Sequence, residues 1–339
     1  MKMKHKYIIL LILLFFVLPA NLGAQEKVYP KNGEGIELFL KRFNRTGSYY
    51  QKEFIRLNKS KLGRNNMLIT GVKYTIPPLK EDEQPAKSES TSKRRKGYEP
   101  LFGKNLASYN VESNELKGAC FYLVSGHGGP DPGAIGKMGN HELHEDEYAY
   151  DIILRIARNL MIRGAKVHII IQDSKDGIRN DMYLKNSKRE TCMGKAIPLN
   201  QVRRLQQRCD KINQLNKSDK ESYKRALFIH VDSRSRSKQT DVYFYNTGSR
   251  ASRNLTNTMK NVFQRKYAHH QPGRGFRGTV SKRDLFVLRN TTSVAAFIEL
   301  GNIQNKYDQQ RIILSNNRQA LANWISEAFV IDYKNYKKK

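Results

Sequence analysis

From about Lys117 onward the chain alternates two kinds of segment, and this alternation restricts its fold more than any other feature. The short apolar runs "ACFYLVSG", "VHIII", "ALFIHV", "DVYFY", "LFVLR" and "VAAFIEL" are rich in β-branched and aromatic residues and read as strands. "YAYDIILRIARNLMIRG", "SRASRNLTNTMKNVFQRKY" and the closing "QQRIILSNNRQALANWISEAF" read as helices. In the first of these Ile152, Ile156 and Leu160 lie on one face, and Gly164 supplies a stop. The order predicts one α/β domain over 117–333, a mixed, mostly parallel sheet flanked by helices, followed by a basic tail, 334–339.

The N-terminus sets the compartment. Lys2, Lys4 and Lys6 precede "IILLILLFFVLPA", and "NLGA" follows, the pattern of a signal peptide spanning 1–24 with cleavage after Ala24. The apolar run is short for a membrane span, and no cysteine stands near the cleavage region to carry a lipid. An exported protein of the periplasm or cell envelope is expected, with no transmembrane segment in the mature chain. The formal net charge of +30 attracts nucleic acid, anionic membranes and acidic wall polymers alike. Export and the lack of a nucleic-acid motif favour the envelope and argue against nucleic acid. Three cysteines do not make a disulfide scaffold. Val202, Leu205, Cys209 and Ile212 fall at helical spacing, which places Cys209 in a core, while a Cys192–Cys209 bridge stays open.

Two further segments stand apart by composition. Residues 79–116, opening "LKEDEQPAKSESTSKRRKGYEP", begin polar and charged without an apolar period and are expected as a flexible linker. Asp173–Ile197 is long for a strand-to-helix connection, which suggests either a lid or regulatory element or a disordered surface insertion. Before the linker, Ile36, Phe39, Leu40 and Phe43 make a helical stripe, Phe54, Ile55 and Leu57 suggest a second helix, and "VKYTI" reads as a strand. With "GEGIELFLKRF" at its start and "LITGVKYTIP" at its end, segment 28–78 resembles a LysM module. The resemblance implies a small α+β (βααβ) fold that binds N-acetylglucosamine-containing glycans. A small helical prodomain is the other reading.

The chemistry concentrates at strand ends. In "VSGHGGPDPGAIG", Val124–Gly136, one histidine, His127, sits among five glycines and two prolines just after a strand. His230 closes "ALFI" and Glu299 closes "VAAFI". Functional groups of α/β sheets collect at the carboxyl ends of strands, so the three can converge. Two histidines and a carboxylate form a common catalytic zinc set, and a second carboxylate is then needed as base. "HELHEDEYAYD" offers several acids. Glu145 precedes Ile152, Ile156 and Leu160 at helical spacing and shares their core-facing stripe better than Glu142, Asp146 or Asp151. His141 and His144 read as exposed loop or cap residues, with His144 a fallback ligand.

Together these motifs resemble the zinc-dependent N-acetylmuramoyl-L-alanine amidases, over about Lys117–Val330. "GHGGPDPGAIG" matches that family's first zinc motif, "LQQRCDKIN" its "L-x-x-R-x-x-x-A-N" helix, "FIHVD" its "S-I-H-A-[DN]", and "ELGNIQNKYD" its "E-x-G-F-x-S-N-x-x-D". The resemblance implies Zn²⁺ bound by His127, Glu145 and His230, with Glu299 as the catalytic carboxylate. It implies hydrolysis of the amide between N-acetylmuramic acid and L-alanine of peptidoglycan in wall remodelling or daughter-cell separation, with an envelope activator protein as a further partner. Ile212, Ala149 and Asn302 stand where alanine, asparagine and phenylalanine are usual. Two other classes remain open to such a chain. One is a non-catalytic peptidoglycan-binding protein with a degenerate hydrolase domain, which would lack zinc. The other, motivated by charge alone, is an exported nucleic-acid binder.

Overall fold

The computed structural model describes residues 27–30, 34–43, 45–63, 66–69, 71–78 and 95–338. The expected signal peptide and the first part of the expected linker, 79–94, lie outside these. The chain divides into two compact units, residues 1–92 and 93–339.

In the first unit β1 (Lys27–Val28) and β2 (Tyr74–Thr75) pair antiparallel around two helices, α1 (Ile36–Lys41) and α2 (Ser48–Asn58). The apolar stripes meet in a small aromatic core of Phe39, Leu40, Tyr50, Phe54, Tyr74 and Ile76. Buried Asn58 fastens α2 to β2: its Nδ2 donates to the carbonyls of Phe54 and Thr75, and its Oδ1 accepts from Thr75 N. Both donors and one of the two acceptor lone pairs of that amide side chain are thereby used inside the core.

The second unit opens with a hairpin, β3 (Lys96–Tyr98) and β4 (Ser108–Asn110). Next come β5 (Ala119–Ser125), a second hairpin of β6 (Ile135–Met138) and β7 (His141–His144), and α3 (Glu145–Met161). β8 (Lys166–Ile169), β9 (Ile171–Gln172), β10 (Thr191–Cys192), β11 (Lys195–Ala196) and α4 (Gln201–Ser218) follow. The remainder is β12 (Tyr223–Asp232), β13 (Tyr243–Asn246), α5 (Arg250–His270), β14 (Thr279–Lys282), α6 (Phe286–Arg289), β15 (Val294–Asn302), α7 (Lys306–Ile313) and α8 (Ser315–Lys337). The main sheet has the order β14-β13-β15-β12-β5-β8, and only the β13–β15 pair is antiparallel. This is the expected mixed, mostly parallel sheet flanked by helices.

Strand alternation builds two cores. Phe121, Leu123, Leu227, Ile229, Ala296 and Ile298 face α3, α5 and α8. Cys120, Tyr122, Val124, Ala226, Phe228, Ala295 and Phe297 face the other way, toward Cys209 and Ile212 of α4 and Val287 and Leu288 of α6. Both faces are covered, so the central strands are apolar throughout, as parallel strands require. All three cysteines are free and buried, so Cys192 and Cys209 are not bridged.

Several expectations need correction. The linker does not reach 116: Phe102, Ala107 and Leu116 are buried, and the second unit already begins with β3. "LFVLR" is not a strand. It forms the one-turn α6, because Val287 and Leu288 both pack inward, which suits a helical turn and not a pleat. The sheet edge is taken by β14, a mostly exposed strand with little apolar signal. The closing helix is two, α7 and α8, broken at extended Leu314. The basic tail is the last turns of α8, which runs to Lys337 and pairs Lys334 with Glu115. Asp173–Ile197 is no disordered insertion: β10 and β11 join β9 in a small sheet, and Leu184 and Cys192 are buried. Among the described residues no helix is long and apolar enough to cross a membrane.

One buried network explains both the helix break and the folded insertion. Arg318 is fully buried; its Nε donates to Asp151 Oδ2 at 2.6 Å, and Nη1 donates to the carbonyls of Ile312 and Ile313 at the end of α7. Its Nη2 donates to the carbonyls of Arg179 and Asp181 in the insertion. Arg155 adds a second bond to Asp151 Oδ2 at 2.8 Å, and Arg179 N donates to Asp151 Oδ1. Removing one partner strands a buried charge, which typically costs about 3–5 kcal/mol. Arg318→Met is therefore expected to lower unfolding free energy by about that amount in denaturant titration. An Arg265→Ala control, which loses only the exposed pair with Glu327, should change it by less than about 1 kcal/mol.

Candidate active site

His127 lies one residue beyond Gly126, where the chain leaves β5, and takes a left-handed backbone with φ 61°. Asp131, four residues on, accepts from His127 Nδ1 at 2.9 Å and from Gly133 N at 3.1 Å. From α4, Arg204 Nη2 donates to the same Asp131 oxygen at 2.7 Å, and Arg208 donates to the carbonyl of His127. The loop is thus clamped, and the Nε2 side of the ring faces Glu145 Oε2 at 3.3 Å. The glycines make room for this. A Cβ on Gly126 would run into the His230 ring, and one on Gly133 would stand 2.6 Å from the His127 ring and 2.7 Å from Glu145 Oε2. Any side chain there would collide with the site.

Glu145 is the first residue of α3. Its Oε1 accepts from Val231 N at 3.0 Å and meets His230 Nδ1 at 2.9 Å, while Oε2 accepts from Ala134 N at 2.9 Å. His230 lies on β12 with its ring stacked on Phe297 at 4.4 Å. The coordinating atoms of His127, Glu145 and His230 all lie within 4.8 Å of one another. Glu299 sits on β15 in register with His230 on the adjacent parallel strand, and its Oε2 is buried without a hydrogen-bond partner.

The electrostatics follow from this packing. Burial opposes charge on Glu145, yet the hydrogen bonds of His127 and His230 prevail and hold its pKa below the carboxylate range. Burial likewise opposes a charge on His127, but Asp131 and Glu145 outweigh it and lift the imidazole to about 10. Burial depresses His230. Glu299 is pushed well up, by burial first and then by Glu145 and Asp232. Asp146, the sequence neighbour of Glu145, rises to about 8 through burial and the charges of Glu147 and Glu190.

Two other groupings of possible ligands exist among the described residues. In Cys120–His168–Asp219 the carboxylate is already engaged by Lys166 at 2.5 Å and by the Tyr122 hydroxyl at 2.8 Å. Asp146, Glu147 and Glu190 form the third. His144 is not brought to the site: it is buried at the N-cap of α3 with Nε2 3.2 Å from Glu142 Oε2, so the expectation of an exposed residue fails for it. His141 is exposed, and its ring stacks on Tyr183. Local sequence pattern does not point to Asp131, Arg204 or Arg208 as site residues. The i,i+4 spacing of His127 and Asp131 is the signal that could have found Asp131, and Arg208 falls within "LQQRCDKIN". Asn302, in place of the usual aromatic residue, is fully buried and donates to the carbonyls of Ser235 and Lys238.

Comparison with known proteins bears on the whole arrangement. The germination-specific N-acetylmuramoyl-L-alanine amidase of Bacillus subtilis (strain 168) is 26% identical over 205 residues, covering 59% of this chain and 74% of that protein. Among solved structures, the N-acetylmuramoyl-L-alanine amidase AmiC2 of Nostoc punctiforme aligns with a TM-score of 0.46 at 18% identity, over 65% of this chain and 99% of that one. The catalytic domain of CwlV, an N-acetylmuramoyl-L-alanine amidase from Bacillus (Paenibacillus) polymyxa var. colistinus, aligns at 0.45 and 19%, over 62% and 96%. The family model described as N-acetylmuramoyl-L-alanine amidase matches residues 122–330, more than half of the sequence, and takes in every side chain of the site described above: the chain belongs to the N-acetylmuramoyl-L-alanine amidase family.

Proposed function

We propose that the chain is an exported, zinc-dependent hydrolase that cleaves the amide bond between N-acetylmuramic acid and L-alanine of the peptidoglycan stem peptide. One observation carries the reading: two imidazoles and a carboxylate from three separate elements converge within 4.8 Å, with a glutamate whose buried Oε2 has no partner on the adjacent strand, in a chain of the amidase family. The donor set suits zinc, which favours nitrogen ligands completed by a carboxylate oxygen. The two glycines that leave the space between the rings free of Cβ atoms also support it. His127, Glu145 and His230 would hold the ion, which when bound supplies a Lewis acid for the amide carbonyl and a water of lowered pKa.

The chain's own residues do the rest. Asp131, held by Arg204, fixes the tautomer and direction of the His127 ring, the usual role of a carboxylate behind a liganding histidine. Phe297 holds the His230 ring in plane. Glu299 takes the proton of the attacking water on its free oxygen and returns it to the amide nitrogen as that bond breaks. Its parallel register with His230 keeps the proton acceptor beside the metal-holding set throughout.

The remaining domain readings join this proposal. Residues 1–24 direct export. The βααβ order of the first unit supports a LysM-like glycan-binding module over 28–78, which would raise the local concentration of substrate for a tethered hydrolase. The net charge of +30 favours residence on an anionic envelope.

Three outcomes are expected. Zinc should bind at roughly one ion per chain, and His127→Ala or His230→Ala should lose both metal and activity. Full zinc retention by Glu145→Ala, with loss in Glu142→Ala or His144→Ala, would show a different third ligand. Glu299→Gln should keep fold and zinc, while release of stem peptides from purified peptidoglycan, followed by mass spectrometry, falls by about 10²–10⁴-fold. A folded, zinc-loaded Glu299→Gln protein within a few-fold of the parent rate would overturn its role. Deleting residues 27–78 should reduce co-sedimentation with insoluble wall material; undiminished binding would remove the glycan-binding role from that unit.

A further inference from the structure

The third ligand grouping has the chemistry of a hard-cation site, and nothing in the amide hydrolysis uses it. Carboxylate oxygens of Asp146, Glu147 and Glu190 lie within 4.8 Å of one another. All three residues are buried, at 3%, 1% and 7% exposure. Asp146 Oδ1 accepts from Glu147 N, but its Oδ2 is buried with no partner. Glu147 accepts from Ser187 N and pairs with Arg179 at 2.9 Å. Glu190 Oε2 accepts from Gly129 N at 2.8 Å. Arg179 is the one guanidinium among the described residues that pairs directly with the trio, and it also serves Asp176 at 3.0 Å. One guanidinium cannot serve three buried carboxylates, and the buried Oδ2 of Asp146 is left without a partner, which is costly in a low-dielectric interior. A divalent ion held by the trio would satisfy that oxygen, a ligand position without another use.

We propose that Asp146, Glu147 and Glu190 bind a Ca²⁺ ion, separate from the histidine site. The donors are oxygens throughout, the preference of Ca²⁺ and not of zinc, and a buried cage of protein carboxylates suits Ca²⁺ better than Mg²⁺, which sheds its waters reluctantly. The ion joins three pieces of chain that differ in role. Asp146 and Glu147 follow Glu145 at the start of α3. Glu190 belongs to the Asp173–Ile197 insertion and holds Gly129 of the loop that carries His127. The insertion is thereby a calcium-dependent brace for the catalytic loop. The inference does not depend on the zinc reading, since it uses none of the same side chains.

The test uses the full mature chain, stripped of metal and reloaded with one equivalent of zinc, so that chelators of both ions are avoided. Millimolar Ca²⁺ should raise the thermal midpoint by about 5–10 °C at saturation, with one Ca²⁺ per chain by calorimetry. Mg²⁺ at equal concentration should give a smaller shift, because it dehydrates reluctantly and is seldom held in an all-protein cage of carboxylates. Asp146→Asn keeps the shape and should abolish the calcium response; Glu190→Gln provides the same reading should that variant fail to fold. His127→Ala should retain the response. A midpoint unmoved by Ca²⁺, the result expected if the trio shares a proton instead, overturns the proposal. So does an equal shift with Mg²⁺, an unchanged response in Asp146→Asn and Glu190→Gln, or loss of the response in His127→Ala, which would put the ion in the histidine site.

Discussion

The Glu145 carboxylate is the interaction on which the site depends. It is almost fully buried and would be untenable there as an isolated charge. Both oxygens are satisfied twice: Oε1 by Val231 N and His230, Oε2 by Ala134 N and His127. Glu145 opens α3, and its four partners come from the glycine-rich loop and the central strand β12. One side chain therefore locks together the elements that must meet, and the depressed pKa records how strongly they favour its charged form.

Backbone geometry makes that meeting possible. Parallel strands β5, β12 and β15 carry the loop of His127, His230 and Glu299 toward one edge of the sheet, and the in-register pairing of His230 with Glu299 sets their proximity without any loop. Gly126 and Gly133 occupy space in which a Cβ would strike an imidazole. The arginines of α4 then supply the positive charge that holds Asp131 and the His127 carbonyl. A loop of such permissive residues would otherwise lose its geometry to conformational entropy.

The Asp173–Ile197 insertion belongs to the same design. Arg155 and Arg318 satisfy its carbonyls from the helical layer, Ser187 binds Glu147, and Glu190 holds the catalytic loop. A segment without apolar periodicity is ordered here by buried ionic and backbone hydrogen bonds. Such bonds leave no periodic trace in a sequence, because each donor meets an acceptor far away along the chain. This is also why Asp151, on the helix that opens with Glu145, serves structure while Glu145 faces the imidazoles.

Strand and helix periodicity by itself determined that an α/β sheet forms, that its middle strands are buried on both faces, and that His127, His230 and Glu299 stand near strand ends. Those features depend on neighbours two to four residues apart, and local pattern reports them. The core-facing stripe was too weak a criterion to choose among the acids of α3. That helix is buried almost all round, and Asp146 and Asp151 are as enclosed as Glu145. Only the tertiary structure decided which carboxylate meets the histidines, that "LFVLR" turns as a helix, that the closing helix breaks at Leu314, and that Asp131, Arg204 and Arg208 hold the loop. In each case the deciding contact is with a residue distant in sequence, and the energy of a buried charge or an unpaired carbonyl outweighs the local preference of the segment that carries it.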